Sequence, residues 1–150
     1  MKFKLGLTGS MGMGKTSTAS LFEKYNCGVW DADKAVHRLY AKGGEAVKPI
    51  AKLFPKAITK GSVNRTELKQ CLSEDFEKIT LLENIVHPLV SADRKKFIED
   101  TKYEINVFDI PLLFETGSNK IMDKVACVFV SKPIQMERIR SRRSMTEEQI

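Results

Sequence analysis

Short apolar runs alternate with stretches of helical spacing along this chain, and their order predicts its elements. Phe3-Lys4-Leu5-Gly6-Leu7 has the make-up of a short buried strand, and residues 17–22 open an amphipathic helix. Cys27-Gly28-Val29-Trp30-Asp31 predicts a second strand. The alternation then stops: residues 35–41, 45–54, 65–73 and 76–100 all carry helical apolar spacing, with Gly43-Gly44 and Gly61-Ser62 as punctuation. His87-Pro88 interrupts the longest of these patterns. Because the residue before a proline is biased away from helix, it predicts a kink or boundary there. Buried strands are expected again at 103–110 and 125–130, and a helix at 134–143. Strands separated by helices predict an α/β fold around a parallel sheet. A long helical insertion between two of them, residues 34–101, predicts a substrate-binding part or lid.

The first strand runs straight into Gly9-Ser10-Met11-Gly12-Met13-Gly14-Lys15-Thr16, which fits G-x-x-x-x-G-K-[ST] at every fixed position. In such a loop successive backbone N–H groups and the positive end of the following helix converge on a phosphate. Gly9 and Gly14 stand where a Cβ would clash or φ must be positive, while Gly12 adds freedom that the motif does not demand. Lys15 is expected on the terminal phosphates of a nucleoside triphosphate and the Thr16 hydroxyl on magnesium.

In an open parallel sheet ligands gather at the carboxyl ends of strands, so Asp31 and Asp33, after the second strand, are expected to face the phosphates. A carboxylate there can take a hydroxyl proton from an acceptor, with Asp33 the candidate base and Asp31 or another acid tuning its charge. Either acid can equally be the N-cap of the next helix, and spacing does not rank them. Asp109, closing the strand at 103–110, is where magnesium or its water shell is expected beside a phosphate loop. Asn64-Arg65 opens one of the inserted helices.

Composition narrows the picture further. At 150 residues and 42% hydrophobic content, one core and a single domain spanning residues 1–150 are expected. No apolar run reaches membrane-span length, and residues 1–8 lead directly into the first strand, so no signal peptide is expected and the protein is placed in the cytoplasm. Cys27, Cys71 and Cys127 are far apart and form no C-x-x-C pair, which points to reduced thiols rather than disulfides or zinc. Twenty-five Lys and Arg against nineteen Asp and Glu give +6, which suits a polyanionic partner. Much of the excess sits in Arg138, Arg140, Arg142 and Arg143, where a phosphate-handling enzyme wants mobile arginines. Aromatic and basic residues are not interleaved, so nucleotide-type substrates rank above nucleic acid.

Gly6-Leu7-Thr8-Gly9 with the phosphate loop, Asp31-Ala32-Asp33, Gly61-Ser62-Val63-Asn64-Arg65, His87-Pro88, Asp109-Ile110-Pro111-Leu112-Leu113-Phe114-Glu115 and Gln135-Met136-Glu137-Arg138 occur in the order seen in dephospho-CoA kinases. The chain resembles that family along essentially its whole length. The resemblance implies a three-layer parallel sheet of the phosphate-loop nucleoside triphosphate hydrolase type and transfer of the ATP γ-phosphoryl group to the ribose 3′-hydroxyl of dephospho-CoA. It implies ATP on residues 9–17, from Gly9 through Ser10, Met11, Gly12 and Met13 to Ser17, and Asp33 as the base. Arg65, His87, Pro88 and Leu112 would hold the acceptor in or beside the 34–101 insertion, and Arg138 and Arg142 would sit in a lid at 132–146. No membrane or nucleic-acid partner is implied. Two departures stand out: Ser10 replaces a usual loop glycine, and the sequence stops at 145–150, where family chains normally continue with a helix, a strand and a final helix. A related small-molecule or nucleoside monophosphate kinase, or a non-catalytic nucleotide-binding protein, are the rival expectations. The missing guanine-reading Asn-Lys-x-Asp motif counts against a GTPase switch.

Overall fold

The computed structural model of the chain describes residues 2–9, 14–111 and 113–143 and, for Arg142 and Arg143, the backbone alone. Strands β1 (Phe3–Thr8), β2 (Gly28–Asp31), β5 (Ile105–Asp109) and β6 (Lys124–Cys127) form a parallel sheet in the order β2-β5-β1-β6. Helix α1 (Lys15–Lys24) packs against β1, β2 and β5. Leu7, Ala19, Cys27 and Val107 make the buried centre of this layer. On the sheet, Trp30 and Phe108 pack as tilted rings 6.2 Å apart. The chain divides into two compact units, one of residues 1–31 and 101–150 holding this sheet, the other of residues 32–100.

The second unit has a core of its own. Helices α2 (Ala32–Tyr40), α3 (Val47–Leu53), α4 (Arg65–Ser73) and α5 (Phe76–Asp100) bury Leu39, Ile50, Phe54, Ala57, Val63 and Leu68, with Ile85, Val86, Leu89 and Val90 of α5 packed against them. Helix α4 begins at Arg65 because Asn64 takes an extended backbone and its Oδ1 accepts from the N–H groups of Thr66 and Glu67, at 3.0 and 3.1 Å. A salt bridge of 2.7 Å between Arg38 and Asp93 ties α2 to α5. Ile50 has no exposed surface. Replacing it by alanine is expected to lower the unfolding free energy by about 2–5 kcal/mol, through lost transfer energy plus the cavity left behind. Urea unfolding followed by circular dichroism checks this, and a loss well under 1 kcal/mol would mean that this core repacks freely.

The insertion is mostly helical, as expected, and between its helices β3 (Ile58–Thr59) and β4 (Ser62–Val63) pair as an antiparallel hairpin. Its turn residues, Lys60 and Gly61, have φ of 51° and 80°, the two positive values of a type I′ turn, which suits the glycine. Two-residue strands carry no readable period, so only the glycine was legible. His87-Pro88 does not end a helix, because α5 runs unbroken from Phe76 to Asp100 with Pro88 inside it. The proline removes one backbone donor, but both residues lie on the exposed side while their apolar neighbours pack on the core, and that packing outweighs the local bias. The strand expected at 125–130 is shorter and stands at the sheet edge as β6, half-buried rather than buried, since it pairs with β1 alone.

Candidate active site

The site begins at the carboxyl edge of the sheet. Gly14 has φ 85° and ψ 22°, a left-handed conformation suited to glycine, and it is the residue from which α1 starts. Among the described residues the first turn of α1 has neither an acidic residue nor a side-chain cap, and the positive end of such a helix favours an anion. Thr18 donates from its backbone N–H and its hydroxyl to the Gly14 carbonyl, at 3.0 and 2.9 Å, which fastens the helix to the loop.

Lys15, the first residue of α1, donates from its ammonium to Oδ1 of Asp109. Asp109 ends β5, is 2% exposed, and lies in register with Leu7 of β1 on one side and Asp31 of β2 on the other. A carboxylate buried this deeply needs a paired charge, and Lys15 supplies it. The sheet therefore brings together Lys15, Asp31 and Asp109 from three separate parts of the sequence. Asp33, two residues beyond Asp31, lies exposed in the first turn of α2.

Helix α6 (Lys132–Arg143) contributes Arg138, half-buried and beside Gly14: a Cβ added to Gly14 would stand 3.1 Å from its Nη1. Arg138 lines a cleft of about 390 Å³ with Gly14, Ser17, Thr18, Val128, Phe129 and Val130. That volume lies within the usual range for small-molecule sites. The Val128–Val130 wall is not marked in the sequence, where these residues read as the end of a buried strand; only the structure leaves Phe129 78% exposed on the cleft.

A second cleft, of about 350 Å³, lies in the unit of residues 32–100 and is lined by His37, Tyr40, Ala41, Lys42, Ser62, Val63 and Arg65. Of the residues expected on the acceptor, Arg65 is found here, with its guanidinium carbon 5.4 Å from the centroid of the Tyr40 ring. His87 and Pro88 line neither of these two clefts. Burial raises the Tyr40 phenol above its ordinary pKa, and nearby Arg65 partly opposes the shift. Ser10, Met11, Gly12, Met13, Leu112, residues 144–146 of the expected lid and the Arg142 side chain lie outside the described residues. Among the described residues no helix is long and apolar enough to cross a membrane.

A lysine and a threonine at the head of a helix that follows Gly14, a buried acid on a neighbouring strand and an arginine beside Gly14 mark a phosphate-loop protein that handles nucleoside triphosphates. The family model described as dephospho-CoA kinase matches residues 3–150. The chain belongs to the dephospho-CoA kinase family. A dephospho-CoA kinase of Ruegeria pomeroyi is 50% identical over 149 residues, 99% of this chain and 76% of the relative. One of Cereibacter sphaeroides is 48% identical over 98% of this chain and 75% of its own length. Among solved structures, a Thermus thermophilus protein superposes with a TM-score of 0.85 at 26% identity, covering 98% of this chain and 75% of that one. A dephospho-CoA kinase from Campylobacter jejuni shares the fold, with a TM-score of 0.71 at 24% identity, covering 99% of this chain and 76% of that one. The activity is accordingly that of a dephospho-CoA kinase, a transferase with ATP as phosphoryl donor and dephospho-CoA as acceptor.

Proposed function

We propose that this chain carries out the reaction by in-line transfer of the ATP γ-phosphoryl group to the ribose 3′-hydroxyl of dephospho-CoA, with Lys15 and Arg138 on the donor phosphates and Asp33 as general base. The observation that carries this reading is the Lys15–Asp109 pair at the head of the loop, because it holds the lysine ammonium at the edge where the phosphates are expected. Residues 9–17 cradle the phosphates, and Arg138 with Arg142 adds positive charge from α6. Transition-state charge in phosphoryl transfer is spread over several oxygens, so positioned cations rather than covalent chemistry supply most of the acceleration. Asp33 accepts the 3′-hydroxyl proton as the oxygen attacks. On the acceptor side, Arg65, His87, Pro88 and Leu112 are assigned to holding dephospho-CoA, Arg65 with the strongest support because it lines a cleft.

Magnesium fits the chemistry of the donors: the Thr16 hydroxyl, on the second residue of α1, and the Asp109 carboxylate, at the end of β5 and paired with Lys15, are hard oxygen donors that would hold the ion, Asp109 through water. When bound, the ion supplies charge neutralisation on the terminal phosphates. Mg2+ takes six oxygen ligands but usually keeps several waters and shares substrate phosphates, so two protein oxygens suffice. We place the reaction in the cytoplasm and assign the net positive charge to phosphate substrates rather than nucleic acid.

ADP release measured with ATP and magnesium, with and without dephospho-CoA, tests the reading. Release is expected to depend on dephospho-CoA. Tight ATP binding without any acceptor-dependent release would favour a non-catalytic nucleotide-binding role instead.

A further inference from the structure

The cleft lined by His37, Lys42 and Arg65 is richer in cations than any acceptor assignment so far uses. Among the described residues that line it none is acidic, while three carry or can carry positive charge. Each is delivered by a different piece of chain. His37 and Tyr40 belong to α2, Lys42 to the bend after it, and Arg65 to the first position of α4, fixed there by the Asn64 cap. The Lys42 stem rests against the hairpin turn, since a Cβ on Gly61 would lie 3.4 Å from its Cγ. The Ser62 hydroxyl donates to the Thr59 carbonyl at 3.2 Å, which closes the turn.

Helix geometry relates this cleft to Asp33. Asp33, His37 and Tyr40 follow at i, i+4 and i+7 and so share one face of α2, with His37 about 6 Å and Tyr40 about 10.5 Å along the axis from Asp33. In dephospho-CoA the 3′-hydroxyl and the 5′-diphosphate stand on opposite sides of one ribose ring, a span comparable with that single turn. We propose that this cleft is the subsite for the diphosphate of the acceptor, held by His37, Lys42 and Arg65. This rests on the reading of Asp33 as the base that faces the 3′-hydroxyl. A cation–π contact places the Arg65 guanidinium 5.4 Å over the Tyr40 ring, and a guanidinium can pair two phosphate oxygens through its N–H edges. The raised phenol pKa keeps Tyr40 uncharged at neutral pH, so no phenolate competes with the anion.

Calorimetric titration of the whole chain with dephospho-CoA, with the donor site filled by a non-hydrolysable ATP analogue, tests the subsite. Lys42→Ala and His37→Gln are each expected to raise the Kd for dephospho-CoA roughly five- to tenfold, as loss of one charge-assisted contact does. The Kd for the ATP analogue should stay unchanged, which also reports that the variants fold. Wild-type protein that binds dephospho-CoA while both variants bind equally well would overturn the subsite and leave the acceptor assignment standing. Wild-type protein that does not bind dephospho-CoA would overturn the acceptor reading and the subsite with it. An equal loss for the ATP analogue would assign the cleft to the donor and likewise overturn the proposal.

Discussion

Lys15→Ala is expected to lower kcat by roughly a thousandfold or more, about 4 kcal/mol of transition-state stabilisation. Lys15 is the first residue of α1, so its ammonium is positioned by the helix and by Asp109 rather than by a flexible loop. A cation fixed in advance costs no reorganisation when charge shifts on the transferred group, which is why its loss falls on the rate. The same substitution removes the Lys15 ammonium from the 2%-exposed Asp109 carboxylate. Removing one partner of a buried pair is destabilising in its own right, so a lower thermal midpoint is expected beside the kinetic loss. Steady-state ADP release, measured well below the variant's melting temperature and at saturating ATP, separates the two effects. A Lys15→Ala protein that turns over at close to the wild-type rate would overturn the assignment of residues 9–17 to the phosphates.

Asp33→Asn is expected to reduce kcat by roughly a hundred- to ten-thousandfold, the usual worth of a positioned general base, with little change in ATP affinity. Asparagine keeps the size of the side chain and removes the proton acceptor. Asp33 is exposed in the first turn of α2, so no core contact is lost and circular dichroism should be unaltered. The paired experiment is Asp31→Asn. Asp31 ends β2 in register with Asp109, within the sheet itself, and its replacement is expected to affect the charge of the site more than proton transfer. If Asp31→Asn abolished turnover while Asp33→Asn retained it, the roles of the two acids would be exchanged.

The phosphate loop was legible because its chemistry is local. The motif is read from eight consecutive residues without help from distant chain, and Gly14 takes the left-handed conformation from which α1 starts. The helices at 65–73 and 76–100 were legible with their exact ends, since their apolar spacing buries one side against a core and Asn64 marks a start. Local rules failed where packing outweighed them. The bias before Pro88 allows a kink or a boundary, and the boundary is excluded because α5 continues through it; the β3–β4 hairpin is hidden because two-residue strands have no period.

The sequence by itself determined the α/β class, the glycine loop and the acids after the strands, because each rests on neighbours in the chain or on periodic burial. Tertiary structure alone decided that Lys15 pairs with Asp109, a partner 94 residues away, since sheet order and register set that meeting. It alone placed Arg138 over Gly14 and gathered His37, Lys42 and Arg65 around one cleft. Charged side chains carry no periodicity that marks their partners. Which of them meet depends on strand order, helix packing and a two-residue turn.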